Sequence, residues 1–67
     1  MPHKLVIEFE ARRTKAGVPL RQILKKTGIA ASTVWRWHNV DDAVPNIRII
    51  ERLNIALDAI VATRFED

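Results

Sequence analysis

The chain has 67 residues, 48% of them hydrophobic, with no Cys, two Trp and a net charge of +3. That is the size of one small domain, burying only about 60% of the surface its unfolded form exposes, with no disulfide framework and no thiolate metal site. His3 and His38 are too few for zinc, no apolar run approaches a span of ~18 residues, and no signal-peptide pattern opens the sequence.

A soluble, cytoplasmic protein without metal, cofactor or membrane partner is therefore expected. Its charge is uneven. Residues 1–39 hold eight Lys and Arg against two Glu, a balance of +6, while residues 40–67 hold three Arg against six carboxylates, a balance of −3. A basic half of this kind attracts polyanions, although a solvated surface without a partner has the same composition.

Residues 4–16, KLVIEFEARRTKA, admit two readings. Leu5, Ile7 and Phe9 alternate with polar residues, as in a strand. Leu5 and Phe9 also share a helical face, Glu8 and Arg12 stand at i, i+4, and Gly17 sits where a C-terminal glycine belongs. The helix is preferred. Arg13 and Lys15, in its basic C-terminal half, are candidates for phosphate contacts. Val18-Pro19 is a connector, and Pro19 opens the next helix without loss because its missing N–H would be an orphan there anyway.

Residues 20–39, LRQILKKTGIAASTVWRWHN, read as a helix to about Thr27, a tight turn at Gly28, and a second helix from about Ala31 to His38. Gly28 accepts the positive φ of the turn, Ile29 drops into the corner, and Ser32 or a neighbour can satisfy free N–H groups at the next helix start. Val34 and Trp37 fall on one face of the second helix; Ser32, Thr33, Trp35 and Arg36 fall largely on the other. This pattern is a helix-turn-helix presenting hydrogen-bond donors, an indole and a guanidinium, which suits the DNA major groove.

Residues 39–44 form a polar loop, and Pro45-Asn46 marks the next helix start. From Asn46 to about Arg64 neither Gly nor Pro interrupts a helix of ~19 residues, about 28 Å long. Ile47, Ile50, Leu53, Leu57 and Ile60 form its core stripe, widened by Ile49, Ala56 and Val61. Ile55, Ala59 and Ala62 fall nearer the opposite side. They are the expected contact between two copies, framed by Arg48 and Glu51 and related by a two-fold axis.

Each side chain has a bland reading beside the functional one. Arg36 is the best candidate for direct readout, guanidinium to guanine being the commonest specific contact; alternatively it pairs with Asp41 or Asp42. Ser32 and Thr33 contact bases or phosphates, or cap the helix. Trp35 packs on a thymine methyl or the sugar–phosphate edge, or else folds over Ile29 or the first helix. Trp37 reads as core. Arg21, Gln22, Lys25 and Lys26 are candidates for phosphate contacts, which position without reading sequence. His38 is a helix-end residue or a phosphate neighbour. No Ser–His–carboxylate or paired-acid constellation stands out, so an enzyme is not expected.

In this order of elements the chain resembles the lambda-repressor-like, Cro-type family of DNA-binding domains, over roughly Phe9 to Leu57. Arg13-Thr14-Lys15-Ala16-Gly17-Val18-Pro19 looks like the family's R-x-x-x-G-L-[ST]. Gly28 falls at its turn glycine, and Ile23, Ile29, Val34 and Trp37 at its apolar positions. Pro45-Asn46-Ile47, followed by Ile50, Leu53 and Leu57, is similar to the start of its fourth helix. The resemblance implies a compact all-α domain of four helices with a long C-terminal one, acting as a homodimeric bacterial or phage transcriptional regulator on double-stranded DNA. It implies base contacts from Ala31, Ser32, Thr33, Trp35 and Arg36. Leu24 stands where the family usually has Ala, so the helix crossing must change or Leu24 must point elsewhere; the usual Gln of the base-reading cluster is absent. A chain this short has no room for a separate ligand-sensing domain. Two rivals remain: an excisionase-like recombination accessory protein, since Thr33-Val34 with Arg36-Trp37 also resembles such modules, and a protein-interaction or antitoxin-like module using the last helix.

Overall fold

The last helix organises the molecule. In the computed structural model, which describes residues 3–64, α1 (Lys4–Ala16) and α2 (Leu20–Thr27) pack on α4 (Ile47–Thr63), and α3 (Ala31–Asn39) closes the core between them. No strand occurs among the described residues. The four helices share one core of Val6, Phe9, Val18, Ile23, Val34, Trp37, Ile50, Leu53, Ala56, Leu57 and Ile60. Each large aliphatic or aromatic side chain buried this way contributes ~1.5–3 kcal/mol relative to remaining exposed.

The first helix forms as expected, but on a slightly rotated face. Val6 and Phe9, at i, i+3, are buried, Leu5 is half-buried and Ile7 is exposed. A strand would have put Leu5, Ile7 and Phe9 together; the helix instead leaves Ile7 in water. Gly17, at φ 69°, ends α1: its N–H donates to Thr14 O (3.0 Å), and the Val18 N–H donates to Arg13 O (3.1 Å). That pair of bonds is the Schellman arrangement, and it turns Val18 into the core.

Pro19 stands as N-cap of α2 and Gly28, at φ 74°, as its C-terminal turn residue, whose N–H donates to Leu24 O (2.8 Å). Neither glycine has an atom within 4 Å of where a Cβ would stand, so the left-handed backbone alone calls for Gly. Leu24 does point elsewhere. It is half-buried and lies along a surface groove with Leu20 and Ile29 instead of being fully enclosed at a crossing.

Three expectations are corrected. Ile47 is not core: it is the first residue of α4, and 64% of it is exposed. Ala56 takes its share of the stripe, because the buried face is centred on Leu53, Leu57 and Ile60. Glu8 does not pair with Arg12, whose guanidinium reaches across to Asn54 and Asp58 on α4. Ser32 does not cap α3. Its N-cap is Ala30, without a side-chain bond, and the nearest hydroxyl help comes from Thr27 Oγ1, which accepts from the Ile29 N–H at 3.3 Å. At α4 the Asn46 side chain does cap, accepting from the Arg48 N–H at 2.9 Å.

Candidate nucleic-acid interface

The outer face of α3 is built by the burial of its inner one. Val34 and Trp37 are 1% and 4% exposed, which forces Ala31, Ser32, Trp35 and Arg36 outward; Thr33 is half-buried at the edge. Trp35 is 62% exposed and does not fold over Ile29 or α1. An indole left this open carries a large apolar area with a single donor, the profile of a contact residue. Among the described residues no carboxylate lies within ion-pair distance of Arg36, so the alternative pairing with Asp41 or Asp42 is not made.

Ser32, Thr33 and Arg36 line one groove with Ala43, Val44 and Asn46 of the 40–46 segment. No side chain among the described residues caps the start of α3; the Thr33 N–H donates to Ala30 O at 3.1 Å, which leaves the Ala31 and Ser32 N–H groups facing outward at the end of the helix where partial positive charge accumulates. At the far end, Asn39 Nδ2 donates back to Trp35 O at 2.8 Å, closing the last turn of the helix on itself.

The cations expected to hold phosphates separate into groups. Arg21 and Lys25 are exposed on α2 and flank a groove that runs to Ala31, at the start of α3. Gln22 and Lys26 are also exposed, but border a second groove with Ala59, Ile60 and Thr63 of α4, to which Lys25 also contributes. Lys15 lies with Arg12 beside Leu57, Asp58 and Val61, between α1 and α4. Arg13 is half-buried and occupied by the protein's own groups: Nε and a terminal nitrogen donate to Glu10, at 2.9 Å for Nε, and the other terminal nitrogen donates to Val18 O at 3.1 Å. Its role is to fasten the end of α1, which removes it from the free cations. His38 Nε2 sits 3.4 Å from Glu10 Oε1, tying α3 to α1.

On α4, Ile55 is 67% exposed, and Ala62 is exposed near it on the outward face together with Arg48 and Glu51. Ala59 is half-buried and turned toward α2, because its position in the 3.6-residue repeat carries it toward Gln22 and Lys26. Ile55 and Ala62 are therefore brought together and Ala59 is not.

Two residues escaped notice in the sequence. Arg52 donates to Thr27 O at 2.7 Å, and Arg64 donates to the carbonyl oxygens of Ala16 and Gly17. Each arginine sets a cation at the C-terminal end of another helix, where orphan carbonyls and the macrodipole favour it. Their partners lie 25 and 48 residues away, beyond any local spacing rule. No family model, no curated protein and no solved structure matches this chain.

Proposed function

We propose that this chain is a sequence-specific double-stranded DNA-binding regulator of transcription, acting in the cytoplasm as a small Cro-like repressor. In this reading α2, the Gly28 turn and α3 form a lambda-repressor-like helix-turn-helix, and α3 enters the major groove. The observation that carries it is the outer face of α3: an open indole and a guanidinium that pairs with no carboxylate among the described residues, on one short helix, with Arg21 and Lys25 beside its start. Arg36 reads a base edge, Ser32 and Trp35 complete the contact, and Arg21 and Lys25 take phosphates on the flank. A nine-residue helix covers only a few base pairs, so a second copy is needed for discrimination, and the outward face of α4 around Ile55 supports that contact.

Two measurements test this. Selection of bound sequences from a random duplex pool is expected to return a half-site motif. If about five to eight phosphates are neutralised by two copies, log K falls against log[salt] with a slope of about −4 to −7. Affinity that stays flat between low and physiological salt would reject nucleic acid as the partner.

A further inference from the structure

Arg36 shares its groove with an apolar side chain that α3 does not supply. On α3, Ser32 and Arg36 stand at i, i+4 and form one ridge, Arg36 leaning toward the 40–46 segment and Trp35 leaning away from it. That segment contributes Val44 to the same groove. Val44 is 76% exposed, the most open large apolar side chain among the described residues. Its backbone is held on both sides. The Ala43 N–H donates to Val40 O at 3.1 Å, Pro45 is buried, and the Asn46 side chain caps α4. A residue before proline is also confined to extended backbone. Val44 is thus a fixed apolar knob beside a guanidinium.

We propose that Val44 is a specificity-determining residue: it meets the C5-methyl group of the pyrimidine next to the guanine that Arg36 reads, and so selects thymine there. The proposal rests on the reading in which α3 enters the major groove, and deepens it by naming a second base and a residue outside the helix-turn-helix. Base edges in that groove offer hydrogen-bond donors, acceptors and one apolar group, the pyrimidine C5-methyl. A guanidinium suits the O6 and N7 of guanine, and a valine beside it has that methyl to bury against. Trp35 lies on the other flank of Arg36, so the two apolar side chains address different neighbours. Cytosine carries the same methyl when it is methylated, so the chemistry recognised is the methyl itself. Taking one such group out of water changes affinity by about fourfold, at the scale of one buried CH₂.

The selected half-site supplies the probe. The base pair whose preference Arg36→Ala abolishes marks the guanine, and the thymine beside it is replaced by uracil, which removes only the methyl. The unaltered chain is expected to bind the uracil duplex about fourfold more weakly, and Val44→Ala to bind both duplexes equally. Trp35→Ala should keep the full preference for thymine at this position. Cytosine and 5-methylcytosine, each placed there opposite guanine, should differ by the same factor in favour of the methyl. Tighter binding of the 5-methylcytosine duplex than of the thymine duplex would support the contact and make methylated DNA its source. Each result is a ratio on two duplexes, so a partly unfolded sample does not distort it. Val44 is exposed, and should Val44→Ala fail to fold, Val44→Ser is read by the same ratio. The proposal is overturned by a preference that Arg36→Ala relaxes at no pair, by a motif with no thymine beside the guanine, or by indifference to uracil. It is equally overturned if Val44→Ala keeps the fourfold loss. In each of these cases salt-dependent, sequence-selective binding would leave the regulator reading standing, whereas no selective binding at all would overturn both.

Discussion

The guanidinium of Arg52 donates to the main-chain oxygen of Thr27 at 2.7 Å, which pins the end of α2 to the middle of α4 immediately before the Gly28 turn. The position of α3 relative to the core is thus held by its own Val34 and Trp37 and by a bond from α4 to the turn that precedes it. Removing this bond is expected to loosen the turn more than the core. Arg52→Ala should cost about 1 kcal/mol, near the net value of one hydrogen bond with a charged donor at an exposed site. In a domain this small that is roughly 4–8 °C of melting temperature. Arg52→Lys, which keeps the charge but loses the planar fork, should recover part of the loss. An unchanged midpoint for Arg52→Ala would mean that the α2 end is held by packing alone.

Gly28→Ala gives a cleaner measure of backbone strain. Nothing stands within 4 Å of the added Cβ, so collision contributes nothing and the φ of +74° contributes all of the cost. The expected loss is ~1–2 kcal/mol. Gly28→Asn should lose less, because Asn visits the left-handed region more readily. Equal losses from both variants in thermal melts would show that the turn relaxes on substitution.

Most of the fold was legible from period and punctuation. The glycines at 17 and 28, Pro19, and Pro45-Asn46 mark the helix ends to within a residue. Rotation about each helix axis was harder to read. Val6 stands about 100° round α1 from Leu5, and Ala56 about 180° round α4 from Ile47, and which of each pair is buried depends on where neighbouring helices press. The charged side chains were least legible. Arg12, Arg52 and Arg64 all bond to groups distant in sequence, and Arg13, which reads like a phosphate ligand, is consumed by Glu10 and Val18 O. A long flexible cation has many partners within reach, and only the packed chain selects among them.

Arg13 and Arg36 should separate as structural and reading residues. Arg13→Ala leaves Glu10 short of its partner and the Val18 carbonyl without its donor, so stability falls by about 1–2 kcal/mol and affinity per folded molecule stays level. Arg36→Ala should leave the melting temperature unchanged, cost roughly 1–3 kcal/mol on the selected site, and cost much less on random duplex. Lys25→Ala should weaken both duplexes about equally. A loss for Arg36→Ala that is the same on both would make it a phosphate contact.

The two indoles provide an internal control for the interface. They are the only Trp residues in the chain, separated by one position on α3, yet Trp35 is 62% exposed and Trp37 4%. In the free protein, acrylamide should quench one component of the emission readily and the other weakly. Trp35→Phe is expected to remove the accessible component, and because its side chain leaves the core untouched the melting temperature should hold. Trp37→Phe acts on the core, where loss of buried aromatic area lowers stability. On addition of the selected duplex, the accessible component should become protected as bases or sugars cover the Trp35 ring, while the Trp37 component stays as it was. Titration of Trp35→Phe with duplex should then give almost no change in emission, with binding still detectable by anisotropy of a labelled strand. Protection of neither indole under saturating duplex would mean that α3 does not face the nucleic acid, and the interface would have to be sought on the Lys26 side of α2.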